Sequence, residues 1–149
     1  MTRTIKNILF ATDFSDSSQQ AADYAVTLAH LTDAQLHVLH VINELDEHQR
    51  VMIPREAFLV LEKEVEVQAV KELEKFCREQ TEGLSTATHA VVGAPFKVIL
   101  EMGGKVNADL IVMGTHGKGL VSQAFFGSVA KRVLRRVRKP VFIIPLPEK

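Results

Sequence analysis

Five short apolar runs divide the chain: IKNILFA at 5–11, QLHVLHVI at 35–42, TATHAVV at 86–92, ADLIVMG at 108–114 and PVFIIP at 140–145. Between them lie four stretches whose apolar residues recur at spacings of three and four, the period of a helix. This alternation limits the fold more than any other feature. The runs are rich in Ile, Leu, Val and Phe, as strands buried on both faces require. Successive parallel strands must be joined by crossovers, so β-α-β-α-β-α-β-α-β predicts a parallel sheet with helices on both faces.

The helices have readable limits. TDFSDSS supplies turn and N-cap chemistry, and from Asp16 to about Leu31 the positions Ala21, Ala22, Ala25, Leu28 and Ala29 form one face. The longest helix is predicted from Pro54 to Gly83, with Phe58, Leu61, Val65, Ala69, Leu73 and Phe76 turned inward. Gly93-Ala94-Pro95 opens a third helix running to about Val106, and SVAKRVLRRV at 128–137 is a fourth. No linker or repeat interrupts this series, so residues 1–149 read as a single doubly wound α/β domain with a five-stranded parallel sheet. At that length a folded chain buries roughly 68–70% of its unfolded surface, and 46% apolar with 24% charged residues excludes a disordered class.

Charge and cysteine usage exclude more. Eighteen basic residues balance eighteen acidic ones, so no global field draws the chain to nucleic acid or an anionic membrane. Cys77 is the only cysteine, which rules out an internal disulfide or a multi-cysteine metal site and favours a reducing, cytoplasmic home. The opening MTRTIKNILFATDFSD reads as a first strand and not as a signal peptide, and no run approaches the roughly 20 apolar residues needed to span a bilayer. The histidines outside the glycine-rich loop (His30, His37, His40, His48 and His89) show no metal spacing. His37 and His40 are three apart in a strand and face opposite ways.

Attention therefore falls on residues 114–128, GTHGKGLVSQAFFGS. In open parallel sheets ligands bind beyond the carboxyl ends of strands where the winding reverses. With strand order 3-2-1-4-5 that crevice lies between strands 1 and 4, whose ends are TDFSDSS and GTHGKG. A Walker A loop fails because Lys118 is followed by Gly119, and a dinucleotide fingerprint fails at Ser122. What remains is G-x2-G-x9-G-S, formed by Gly114, Gly117, Gly127 and Ser128. Glycines let the backbone approach phosphate oxygens, and successive N–H groups at a helix amino end make an anion-binding concavity. Ser128 is placed to cap that helix or to donate to a phosphate. Lys131, in the first turn, is unfavourable there unless an anion is near.

The motif resembles that of the universal stress protein family, whose nucleotide-binding members carry G-x2-G-x9-G-[ST] after the fourth strand. ATDFSDSS, HVLHV, NADLIVMGTHG and KPVFIIP extend the likeness along nearly the whole chain. The resemblance implies an adenine nucleotide alpha hydrolase-like fold and a regulatory ATP-binding protein, with Mg2+ bridging the phosphates. It implies a nucleotide site built from Ala11, Thr12, Asp13, Val41, Met113, Gly114, His116, Gly117, Lys118, Gly127, Ser128 and Val129. In it Asp13 holds the adenosine part and main-chain groups of Val41 read adenine. Asp13 also fits a turn-capping role, Met113 core packing, and Lys118 plain solvation. No nucleophile is placed, so slow ATP hydrolysis at most is expected, with adenylyl transfer or a nucleotide-free scaffold as rival readings. A homodimer through the fifth strand is expected, since VFIIP forms a bare apolar edge, although Pro145 removes one donor.

Overall fold

The computed structural model describes residues 1–44, 47–115 and 127–146. Its elements run β1 (Asn7–Ala11), α1 (Asp16–Thr32), β2 (Gln35–Asn43), α2 (Glu47–Met52), α3 (Arg55–Gln80), β3 (Thr86–Gly93), α4 (Pro95–Lys105), β4 (Leu110–Gly114), α5 (Ser128–Arg136) and β5 (Val141–Ile144). All pairings are parallel, as the alternation predicts, and the strand order is β3-β2-β1-β4-β5, the order on which the expected crevice depends. The winding reverses between β1 and β4, which pair directly through Ile8–Leu110, Leu9–Ile111 and Phe10–Val112.

The two-residue period of the strands sorts side chains into two cores. Ile8, Phe10, Leu36, Val38, Leu110 and Val112 pack with Ala21, Ala22, Ala25 and Ala29 of α1 and with Leu73 and Phe76 of α3. Leu9, Leu39, Ile111 and Met113 point the other way, onto Val98, Ile99 and Met102 of α4 and Ala130 and Val133 of α5. The alanine stripe lets α1 lie close to β1 and β4, so the crevice above those strands has a fixed floor. In α4, a Cβ on Gly103 would stand 3.2 Å from Ile111 Cδ1, so glycine there lets the helix approach β4.

The long helix departs from its expected face. Ala69, Leu73 and Phe76 are buried, but Leu61 and Val65 are 41% and 40% exposed. The reason is length: 26 residues of helix span about 39 Å, while the nine residues of β2 span about 30 Å, so the first turns of α3 overrun the sheet. The short helix α2 in the same overrun was not expected from periodicity. α1 and α4 end differently from α3: Asp33 and Asn107 take left-handed φ values of 57° and 53°, a conformation Asn and Asp tolerate.

Candidate functional site

A cleft of about 800 Å³ opens at the carboxyl ends of β1, β2 and β4. Three βα junctions shape it. After β1 the chain turns through Phe14, whose φ of 61° is unusual for an aromatic residue. Several bonds fix this turn. Thr12 Oγ1 accepts the Phe14 N–H at 3.0 Å, and Asp13 Oδ1 accepts the Ser15 N–H at 2.9 Å. Ser18 Oγ donates to Ser15 O at 2.8 Å, so across the 3.0 Å Thr12–Ser18 contact the threonine hydroxyl is the donor. His40, from β2, donates through Nδ1 to Thr12 O at 2.9 Å and packs its ring 4.8 Å from that of Phe14. A carbonyl only accepts, so this bond fixes the proton on Nδ1. The strained residue thus sits inside a network that over-determines it, as strain at functional sites requires.

The second and third junctions bring helix amino ends to the cleft. α4 starts from Ala94 and α5 from Gly127, and neither has a side-chain cap or an acidic residue in its first turn. By contrast α1 and α3 carry Asp16 and Glu56 in theirs. The first N–H groups of α5, with the partial positive charge of both helix ends, therefore border the cleft. At the β3–α4 junction a Cβ on Gly93 would lie 2.7 Å from Val98 Cγ2, so only glycine allows this close entry into α4. Gly127 donates its N–H to Thr115 O at 2.6 Å, and Thr115 N–H donates to Ile144 O at 3.1 Å, which anchors the start of α5 to the sheet.

Nine of the residues singled out in the sequence line this cleft: Ala11, Thr12, Asp13, Val41, Met113, Gly114, Gly127, Ser128 and Val129. His116, Gly117 and Lys118 lie outside the described residues. Two local readings need correction. Ser128 is the first residue of α5 and Gly127 is its N-cap, so the serine does not cap the helix. Among the described residues Lys131 does not line the cleft and Arg132 does. Positions three and four apart both share a helix face with Ser128, so it is the lining of the cleft, and not the spacing, that separates Arg132 from Lys131. Asp13 performs the turn-capping role through Oδ1 while also bordering the cleft.

His40, Asn43, Phe96 and Thr115 also line the cleft and were not anticipated. Phe96 follows Pro95 at the start of α4, and its ring lies 5.2 Å from the guanidinium carbons of both Arg132 and Arg136. Among the described residues no group of three or more His, Cys, Asp or Glu side chains is arranged to hold a metal ion. No described helix is long and apolar enough to cross a membrane.

Comparison with known proteins agrees with this geometry. The family model of the universal stress proteins matches residues 4–145. The universal stress protein MJ0531 of Methanocaldococcus jannaschii is 36% identical over 148 residues, covering 97% of this chain and 84% of that one. The solved structure of MJ0577 from the same organism superposes with a TM-score of 0.86 at 28% identity, covering 99% of this chain and 100% of the other. A universal stress protein from Archaeoglobus fulgidus, solved in complex with dAMP, gives a TM-score of 0.60 at 26% identity and covers 95% and 99% of the two chains. This chain belongs to the universal stress protein family.

Proposed function

We propose that the cleft binds an adenine nucleotide, with ATP as the physiological ligand, and that the protein acts in a cytoplasmic stress response through its nucleotide state. One observation carries this reading. Two helix amino ends without first-turn acids converge on a cleft at the winding reversal, and Gly114, Gly127 and Ser128 of the glycine motif line it. The Archaeoglobus relative solved with dAMP supports an adenine nucleotide as the ligand class.

In this reading the helix ends and Gly127 receive the phosphates, while Val41 and Asp13 border the adenosine part. Gly127 has a φ of −66°, which any residue adopts, so what glycine supplies is room for the phosphates and not a special conformation. Asp13 is the one carboxylate among the described cleft-lining residues. A magnesium ion would therefore be held chiefly by phosphate oxygens and water, as this ion commonly is. Mass spectrometry of small molecules released from purified protein tests the proposal. An adenine nucleotide is the expected species; a protein that neither carries one nor takes one up would favour a partner-binding scaffold.

We further propose that the molecule is a homodimer through β5, an edge of the sheet with Phe142 45% exposed. Antiparallel pairing of two copies about a two-fold axis would satisfy the open edge and close the assembly. Ile144 belongs to the core at 6% exposure, so the informative substitution is at Phe142. Sedimentation should give a dimer for the natural chain and a shift toward monomer for Phe142→Arg. A monomeric natural chain at micromolar concentration would refute the arrangement.

A further inference from the structure

Arg132 is the only lysine or arginine among the described residues lining the cleft. It lies four residues beyond Ser128, on the same face of α5. Helical side chains lean toward the amino end of their helix, so a long side chain at 132 covers the turn that begins at Ser128. Its guanidinium is held 5.2 Å from the centre of the Phe96 ring, and Phe96 itself lines the cleft from the start of α4. A guanidinium seated on an aromatic face keeps its edge N–H donors available for an oxyanion.

Arg136 provides an internal contrast. It approaches Phe96 to the same 5.2 Å, but it does not line the cleft, and its Nη1 donates weakly, at 3.5 Å, to the Arg132 carbonyl. Two cations one helical turn apart on one ring repel each other, and in the first turns of α4 and α5 no acidic residue offsets them. An anion entering the cleft beside Arg132 would relieve that repulsion.

We infer that Arg132, seated on Phe96, is the residue that reads the phosphate chain of the bound nucleotide and sets a preference for ligands with more phosphates. The inference rests on the nucleotide-binding reading of the same cleft. A cation that bonds phosphate oxygens strengthens binding of ATP and leaves binding of adenosine alone, whereas the apolar walls and main-chain groups serve both ligands equally. Arg132 is exposed and its replacement leaves the core intact.

The test is calorimetric titration of the natural chain, Arg132→Gln, Arg136→Gln and Phe96→Leu with ATP, AMP and adenosine. Arg132→Gln should weaken ATP about tenfold or more, from the loss of a charge-assisted hydrogen bond, with adenosine changed by about twofold or less. Arg136→Gln removes the same charge from the same ring and should leave ATP affinity within about twofold, since exposed charges off the site act weakly through screening water. Phe96→Leu should fall between the two. If Arg132→Gln and Arg136→Gln weaken ATP equally, or Arg132→Gln weakens adenosine as much as ATP, the inference is overturned while the nucleotide site stands. If the natural chain binds none of the three ligands, the functional reading fails and takes the inference with it.

Discussion

The two ends of the sheet use their polar groups differently. At the amino ends of the strands they bond to one another. Asp109, just before β4, accepts through Oδ2 the N–H groups of Lys6 at 2.8 Å and Asn7 at 3.0 Å, and its own N–H donates to Asn7 O. Those backbone donors hold the Asp109 carboxyl below the ordinary carboxylate range. Further along β2, His37 Nε2 donates to Asn7 Oδ1 at 3.3 Å, which leaves Nδ1 to accept from His89 Nε2 at 3.2 Å. At the carboxyl ends hydrogen bonds brace the strained turn after β1, but two helix starts without a side-chain cap or a first-turn acid open onto a cleft. The contrast teaches where to look for function in a parallel sheet: where helix amino ends without first-turn acids border a cleft.

Substitutions at the two ends should separate binding from stability. The largest effect belongs to the cleft. Gly127→Val should lower ATP affinity at least about 100-fold, equivalent to about 2.7 kcal/mol, by filling the space assigned to the phosphates. A β-branched N-cap costs the fold only about 1 kcal/mol, so the variant should still melt cooperatively. Unchanged affinity in a folded Gly127→Val protein would remove the glycine motif from the account.

At the other end the order reverses. Asp109→Ala leaves two backbone donors without their acceptor and should destabilise the fold by about 1 kcal/mol, discounted for water access, with nucleotide affinity unchanged. Denaturant unfolding and titration of the same sample give both numbers. A loss of affinity without a loss of stability would break the division between the ends.

The smallest expected effect is the acid sensitivity of the histidine pair. Burial, and for His37 the neighbouring His89, lowers both imidazoles from the ordinary value of 6.5. The unfolded chain then binds more protons than the folded one, so the pair's contribution is complete above about pH 6.5 and is lost as pH falls through the lowered values. His89→Gln should flatten this part of the stability profile in unfolding experiments from pH 7.5 to 5. An unchanged slope would assign the acid response elsewhere.

Much of this was legible in the residues. The strand runs and helical periods gave a parallel sheet covered on both faces, because crossover handedness and double-sided burial leave few alternatives, while the order 3-2-1-4-5 entered as a condition that the structure meets. Nine proposed site residues reach the cleft because the glycine motif and the β1 end flank that reversal. What periodicity could not supply was relative length, so the overrun of α3 beyond the sheet and its exposed Leu61 and Val65 went unseen. The strain at Phe14 is a property of a network of Thr12, Ser18 and His40 drawn from separate elements, and no local pattern announces it. Arg132 was hidden for a different reason: Lys131 and Arg132 lie three and four residues past Ser128 on one side of the helix, and spacing does not say which of them reaches the cleft.

The central claim is that the cleft at the carboxyl ends of the strands holds one adenine nucleotide per chain. Calorimetric titration of nucleotide-stripped protein with ATP, repeated with the Gly127→Val variant, addresses it most directly. The account predicts saturable binding at one site per chain for the natural protein and none for the variant over the same concentration range. Absence of binding by the natural chain, or equal binding by both, would contradict it.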